Sequence, residues 1–156
     1  MLRAKKTRRR LSAAGLRFGI AAARYNTELA DALVANCVGT LARAGADPHD
    51  IKVLRVPGTF EVTAAAARLA RSGKRHCVIG LGVLVEGETR HAQHIGSAVA
   101  HGLTTVAINT GVPTVFGVVA ANNVQQARVR CLGKKHNRGR EAALTAIEMA
   151  RLWKNL

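Results

Sequence analysis

The sequence predicts an α/β fold in which a central, mainly parallel sheet lies between two layers of helices. Apolar runs of strand length alternate along the chain with segments whose apolar residues recur at helical spacing, which is typical of parallel sheets covered on both faces. The run from Cys77 to Val85 is apolar or glycine at every position, as strands buried on both faces are. The pattern is that of a flavodoxin-like three-layer αβα sandwich.

The first half of the chain contains three predicted strands and two predicted helices. The strands span residues 16–23, 51–56 and 77–85, and Pro57 and Gly58 end the second of them. The first helix begins at Asn26 or Thr27, since both residue types cap helices well. Its apolar positions recur at helical spacing and are Leu29, Leu33, Cys37 and Leu41. A turn follows over residues 45–50, and an alanine-rich helix spans residues 60–71.

The second half of the chain continues the alternation. We expect a helix over residues 92–102, a strand over 104–108 and another over 114–119. Asn122 or Asn123 caps a helix that reaches about Cys131. The last helix runs from about residue 138 to 153, with an apolar face that includes Ala142, Ile147, Met149 and Trp153.

Composition indicates one globular domain with a basic arm. The 156 residues are 48% hydrophobic, and the net charge is +15. Six cations lie in the first ten residues, so removing them leaves 15 − 6 = +9. We therefore divide the chain into a flexible arm, residues 1–15, and a single domain, residues 16–156. Most of the remaining charge is interpreted as solvated surface, although a basic body also suits an anionic substrate.

Several classes of protein are disfavoured by the sequence. No uncharged apolar run reaches the roughly 18 residues of a membrane span, and the basic N-terminus lacks the apolar region of a signal peptide. Cys37, Cys77 and Cys131 form no metal-binding spacing and indicate buried or free thiols in a reducing compartment. We therefore expect a cytoplasmic protein that uses no metal and does not bind a membrane.

The richest chemistry lies just after the strand 77–85. Residues 87–89 read Gly-Glu-Thr, and His91 follows two positions later. Ligands of open α/β sheets bind at such strand ends, and the amides of a glycine turn before a helix attract anions. Histidine is the side chain best suited to move protons near neutral pH. Without further information, a surface histidine at a helix start is the commoner interpretation.

Other candidate residues also stand next to turns. Tyr25, Phe60 and Phe116 are notable because aromatic residues make up only 3% of the chain, and such rings can stack on a flat heterocycle. Glu61 can accept hydroxyl hydrogen bonds, or it can serve only as an acid in a helix first turn.

Several motifs occur together and in order along the chain. They are Arg24-Tyr25-Asn26, Val56-Pro57-Gly58-Thr59-Phe60-Glu61, Gly87-Glu88-Thr89 with His91, Thr110-Gly111-Val112-Pro113 with Phe116-Gly117, Asn137-Arg138-Gly139, and Ala146-Ile147-Glu148-Met149. In this set and order the chain resembles lumazine synthases from about residue 16 to its end. The resemblance implies the same αβα sandwich. It also implies condensation of 5-amino-6-(D-ribitylamino)uracil with 3,4-dihydroxy-2-butanone 4-phosphate to 6,7-dimethyl-8-ribityllumazine in riboflavin biosynthesis.

The resemblance also assigns roles to residues, and it implies a reaction that uses no cofactor. His91 matches the family's catalytic histidine. The family's phosphate ligands match Glu88, Thr89 and Arg130. Arg128, two positions before Arg130, is the alternative assignment for the arginine ligand. The substrate-binding positions match Tyr25, Thr59, Phe60, Glu61, Val83, Leu84, Val85, Phe116 and Arg138. The family forms homopentamers with sites between subunits, Phe116 matching an aromatic from the neighbouring copy, and some members build icosahedral capsids.

Departures from the family pattern leave alternatives open. Glu86 replaces an arginine, residues 92–95 replace an aromatic-Asp-Tyr-aliphatic run, and His136 stands where capsid formers tend to have glycine. One alternative is a shell or scaffold protein of this fold whose basic arm binds nucleic acid or other polyanions, with weak or lost catalysis. A nucleotide-binding flavodoxin-like domain is another, but the sequence lacks the glycine-rich signatures that such domains use.

Overall fold

The computed structural model describes residues 10–156 and contains a four-stranded parallel sheet. The strands are β1 (Phe18–Ala23), β2 (Ile51–Val56), β3 (Cys77–Val85) and β4 (Thr114–Ala121). Their order across the sheet is β2-β1-β3-β4, and every neighbouring pair is parallel. The predicted α/β class and parallel sheet are therefore confirmed, and the carboxyl ends of all four strands meet at one edge.

Helices cover both faces of the sheet. One face carries α1 (Thr27–Arg43), α4 (Val124–Leu132) and α5 (Arg138–Lys154), and the other carries α2 (Val62–Arg71) and α3 (His91–Thr110). Each helix layer closes its own apolar core against the sheet. The predicted apolar face of α1 is confirmed, because its four residues are all buried: Leu29, Leu33, Cys37 and Leu41.

The predicted strand over residues 104–108 is wrong, because α3 continues through it to Thr110. The threonines that favoured a strand are satisfied inside the helix. Thr104, Thr105 and Thr110 each donate a hydroxyl hydrogen bond to the carbonyl four residues earlier, at 2.9, 3.0 and 2.6 Å. Burial at helical spacing outweighs β propensity here. Gly111, with φ +72°, then ends the helix in the left-handed conformation that glycine adopts without strain.

Side-chain caps decide where the last two helices begin. The Asn123 side chain, rather than that of Asn122, accepts from the Gln126 amide at 2.8 Å and caps α4. Asn137 accepts from the Arg140 amide at 3.0 Å and caps α5. One core prediction for α5 is wrong, since Trp153 is 45% exposed near the helix end.

Residues 10–15 lie against the domain. The Ala13 amide donates to the Ala44 carbonyl at 2.8 Å, and Ala13 is fully buried. The Arg151 guanidinium donates to the carbonyls of Ser12 and Ala14 at 3.0 and 2.7 Å. The rest of the predicted arm, residues 1–9, lies outside the described residues. None of the helices described is both long and apolar enough to cross a membrane.

Candidate active site

A cavity of about 660 Å³ lies at the carboxyl edge of the sheet. It is bordered by the segments that follow β1, β2 and β3. Nine of the residues singled out in the sequence line it, namely Tyr25, Thr59, Phe60, Glu61, Val83, Leu84, Val85, Thr89 and His91. The fold therefore brings together segments that are up to 66 residues apart in the chain, from Tyr25 to His91.

Four of the predicted site residues do not line this cavity. Glu88 stands between two lining residues, but its own side chain is exposed. Phe116 lies on a second cavity of about 360 Å³ beside α3 and β4. Arg130 is exposed on α4, and Arg138 begins α5, where its guanidinium lies 3.4 Å from the Glu141 carboxylate. A single copy of the chain thus carries the cavity without these two arginines.

Two aromatic rings stand at the mouth of the cavity with little packing around them. Tyr25 is 72% exposed and Phe60 is 63% exposed. Backbone contacts fix the segments that carry them, since the Tyr25 amide donates to the Pro57 carbonyl at 3.1 Å. Core packing, the alternative interpretation of Phe60, is excluded by its exposure. Both rings are free to stack on a planar ligand.

The last residues of β3 present backbone groups to the cavity that no neighbouring strand pairs. β3 pairs with β1 only as far as Leu81, whereas its pairing with β4 continues to Val85. Alternate residues of a strand direct their backbone groups to opposite neighbours. The last backbone hydrogen bond toward β4 is the one that the Glu86 amide donates to the Ala121 carbonyl at 2.8 Å, so even-numbered residues face β4. The backbone groups of Val83 and Val85 therefore face the open side, where β1 has ended.

The segment after β2 packs closely under the cavity. Thr59 is buried against Gly82 of β3, where an added Cβ would lie 2.5 Å from the Thr59 hydroxyl oxygen. Only glycine permits this approach. The Glu61 carboxylate accepts from the Gly58 amide at 3.1 Å and also lines the cavity. Glu61 ends the short 3-10 turn of Thr59–Glu61 that precedes α2, and the Gly58 amide uses only one of its two carboxylate oxygens.

A turn of residues 86–90 connects β3 to α3 and closes the cavity on one side. His91 is the first residue of α3, so the free amides of the helix start lie beside it. The Thr89 hydroxyl accepts from the His91 amide at 3.4 Å. Thr89 and His91 are both exposed on the cavity wall. Amides, a hydroxyl and an imidazole at one turn can bind an anion and exchange protons with it.

Asn26 lines the cavity, although the sequence predicted for it only the start of the first helix. It is the one described non-glycine residue with positive φ, at φ 59° and ψ 56°. Its side-chain amide donates to the Val83 carbonyl at 3.0 Å. An asparagine three residues after the buried strand β1 was the available signal, because asparagine tolerates the left-handed conformation better than most residues.

The cysteines take no part in this site. All three are free and buried, as expected. Burial raises the pKa of Cys37 to about 12 and that of Cys131 to about 11, and it raises the pKa of Cys77 further still. Thiols with such pKa values are poor nucleophiles. Within residues 10–156, no group of three or more His, Cys, Asp or Glu side chains is arranged to hold a metal ion.

Comparison with known proteins agrees with this geometry. Residues 15–154 match the family model of 6,7-dimethyl-8-ribityllumazine synthase. A protein of that name from Aquifex aeolicus (strain VF5) is 44% identical over 147 residues, covering 94% of this chain and 96% of the relative. Another, from Xanthomonas oryzae pv. oryzae (strain PXO99A), is 42% identical over 136 residues, covering 87% and 88%. The chain belongs to the 6,7-dimethyl-8-ribityllumazine synthase family.

Proposed function

We propose that the chain condenses 5-amino-6-(D-ribitylamino)uracil with 3,4-dihydroxy-2-butanone 4-phosphate, forming 6,7-dimethyl-8-ribityllumazine and releasing phosphate in riboflavin biosynthesis. One observation carries the proposal. A single cavity joins an exposed aromatic ring, a free strand edge and a histidine beside a helix start. These are the groups needed to stack a heterocycle, pair with its edge and move protons next to a phosphate. The family match and the two relatives support the same reaction.

The uracil ring fits between Tyr25 and the end of β3. Tyr25 offers an exposed ring face for stacking. The Val83 amide and the backbone groups of Val85 offer hydrogen-bond donors and an acceptor in the plane of the heterocycle, and Leu84 adds apolar surface between them. The ribityl chain then runs toward Thr59, Phe60 and Glu61, where the carboxylate accepts hydrogen bonds from its hydroxyl groups.

The phosphate of the second substrate is bound at residues 87–89. The backbone amides of this turn and the Thr89 hydroxyl supply neutral donors. Glu88 contributes through its amide, since its side chain is exposed and does not line the cavity. Arg130 adds a guanidinium, which pairs well with phosphate oxygens.

His91 moves protons during the condensation. The primary amine attacks the ketone carbon, and the resulting carbinolamine must lose water to give an imine. Protonated His91 can donate to the departing hydroxyl, and the neutral imidazole can remove a carbon-bound proton before phosphate leaves. Its position at the start of α3, beside Thr89 of the phosphate turn and on the cavity wall, supports this role.

The working enzyme is an oligomer, and we assign it as a homopentamer with sites between subunits. The observation in favour is that Phe116, Arg130 and Arg138 lie off the cavity of their own chain. In this arrangement the neighbouring copy brings them to the site, where Arg138 supplies charge near the heterocycle. The reaction needs no metal or cofactor, and we place the protein in the cytoplasm.

Product formation in the presence of chelator tests this function. The purified protein is mixed with both substrates and EDTA, and the absorbance of the lumazine product is followed. Mass measurement of the same sample gives the assembly, pentamer or larger. Turnover is expected from wild type and should fall in His91→Ala. The absence of product at high enzyme concentration would instead favour a scaffold of the same fold without catalysis.

A second candidate activity is polyanion binding by the basic arm. Cations of the domain gather where the arm joins it. Burial lowers the pKa of His76, and Arg17, Lys154 and Arg151 lower it further because all three lie close by. Arg151 also contacts the carbonyls of residues 12 and 14 directly. The arm residues 1–9 themselves are outside the described structure, so this activity rests on their sequence and on the basic surface beside residues 12 and 14.

A further inference from the structure

Asn26 uses an uncommon conformation in a way that its own helix does not explain. It precedes the first residue of α1, a position where asparagine normally accepts a hydrogen bond from an amide of the first turn. Here the side chain makes no such bond. The backbone is also left-handed, with φ 59°. The missing cap hydrogen bond and the left-handed backbone both make this helix start less stable. Backbone outliers of this kind cluster at ligand sites.

The Asn26 side chain takes the place of a missing sheet bond. Ala22 and Leu81 are the last residues that pair between β1 and β3. Continuing the ladder would bring the Tyr25 amide to the Val83 carbonyl. The chain turns away instead, and the Tyr25 amide bonds to Pro57. The Asn26 amide group then reaches back across the gap and donates to Val83 at 3.0 Å.

This contact determines which backbone groups the β3 edge offers to a ligand. The Val83 carbonyl is occupied by Asn26, so its amide is left as a donor. The next residue on the same side is Val85, beyond the reach of the β1 ladder. The same hydrogen bond ties the Tyr25 segment to β3. Backbone hydrogen bonds hold the Tyr25 segment against the end of β2, and the Asn26 side chain is the contact that ties it to β3.

We propose that Asn26 is a positioning residue that sets recognition of the heterocycle. It fixes the donor pattern of the Val83–Val85 edge and the place of Tyr25 relative to that edge. The inference rests on the proposed function and names the residue that makes this site selective for a flat ring with a carbonyl opposite Val83. Asn26 does not act in proton transfer, and the phosphate turn does not depend on it.

The first experiment separates the side chain of Asn26 from its backbone conformation. Asn26→Gly keeps the left-handed conformation without strain but removes the hydrogen bond. Binding of 6,7-dimethyl-8-ribityllumazine and of inorganic phosphate is measured separately by calorimetry. We expect the lumazine Kd to rise about tenfold, the worth of one well-placed hydrogen bond, and the phosphate Kd to stay within about twofold.

A matched control removes a comparable hydrogen bond elsewhere. Asn36 donates from its side chain to the Cys131 carbonyl at 3.3 Å, across two helices and away from the cavity. Asn36→Ala should lower the Tm while leaving both Kd values unchanged. Equal weakening of lumazine and phosphate binding in Asn26→Gly, or none in either, would overturn the proposal.

A conservative variant provides a readout that general destabilisation would not produce. Asn26→Asp has nearly the same shape, but an ionised carboxylate cannot donate to the Val83 carbonyl, whereas a protonated one can. The ordinary pKa of an aspartate side chain is about 3.9, and the facing Val83 carbonyl would raise it, so the lumazine affinity of this variant should recover as the pH is lowered from about 7 toward about 4. Asn26→Gly should show no such recovery, and a recovery common to both variants and wild type would contradict the role.

Hydrogen exchange tests the positioning independently of ligand. Amide exchange in residues 22–30 should speed up in Asn26→Gly and stay at the wild-type rate in Asn36→Ala. Unchanged exchange in Asn26→Gly would show that Asn26 does not hold this segment. If wild type neither binds lumazine nor forms it, the proposed function fails, while the exchange result still decides whether Asn26 joins the two segments.

Discussion

One guanidinium nitrogen of Arg128 lies 3.1 and 3.0 Å from the two carboxylate oxygens of Glu28 and joins α4 to α1. Arg130 stands two positions further along α4, is exposed and has no ion pair within residues 10–156. Arg128 and Glu28 are both exposed enough for solvent and salt to screen their charges, so their ion pair contributes little to stability. The relationship bears on the proposed function instead, because it distinguishes Arg130, the phosphate ligand proposed above, from the paired Arg128.

Arg130→Ala should raise the KM for the butanone phosphate more than Arg128→Ala does. A charge-assisted hydrogen bond contributes about 1.5–3 kcal/mol, which corresponds to roughly 10- to 150-fold in KM. Arg128→Ala is the matched control, since it removes the same charge from the same helix. Steady-state kinetics with each substrate varied in turn measure the effect. Equal increases from both variants would place the phosphate elsewhere.

His91→Ala should slow the condensation without abolishing it. Acid–base catalysis contributes about 10²–10⁴-fold, and holding both substrates together accounts for further acceleration. The kcat is measured at saturating concentrations of both substrates. His94→Ala is the control, because His94 lies on the first turn of the same helix but does not line the cavity. If His94→Ala were the slow variant, the proton-transfer role would move to that residue.

Gly82→Ala should destabilise the protein and weaken ribityl binding. The new methyl group would lie 2.5 Å from the Thr59 hydroxyl oxygen, so the segment that carries Glu61 must shift. Overpacking of this kind costs about 1–3 kcal/mol. Gly39→Ala is the control, since its Cβ meets only the flexible end of Arg43. Denaturant unfolding should show a loss for the first variant and none for the second.

The free energy of unfolding should fall as the pH rises above 9, in part because of the buried thiols. The pKa of Cys37 is raised from 9.0 to about 12 in the folded protein. The unfolded chain therefore loses this proton first, and the stabilisation present below pH 9 is lost toward pH 12. The loss is at most about 1.4 kcal/mol per pH unit for each thiol. Cys37→Ala should flatten the alkaline slope measured by denaturant unfolding, whereas an identical slope would contradict this origin.

Deleting residues 2–9 should weaken polyanion binding and leave turnover intact. The deletion removes five cations, Arg3, Lys5, Lys6, Arg8 and Arg9. It spares Ala13, whose burial makes it part of the domain. The slope of log K against log salt for nucleic acid should become shallower by up to about 4. If the deletion abolished turnover or assembly, the arm would be structural.

Secondary structure was predictable wherever one periodicity dominated the sequence. β2 and β3 have the predicted bounds because both are rich in Val, Ile and Leu and each ends at a clear turn. The region of residues 104–108 was mispredicted since β-branched residues favour a strand locally. Burial of Val99, Leu103 and Val106 against the sheet and α2 makes it helical. Such burial depends on partners that are distant in the chain, so local propensity cannot reveal it.

The features of the candidate site also fall into those that the sequence predicted and those that it did not. The sequence alone determined the types of chemistry available and the family to which they belong, because a glycine turn, a histidine and an ordered set of motifs are local features. Only the tertiary structure showed that Asn26 replaces a sheet bond at Val83 and that Glu28 occupies Arg128. Both depend on where β1 stops beside β3 and on how α1 meets α4. These relationships join residues 57 and 100 positions apart, and packing rather than local sequence brings them together.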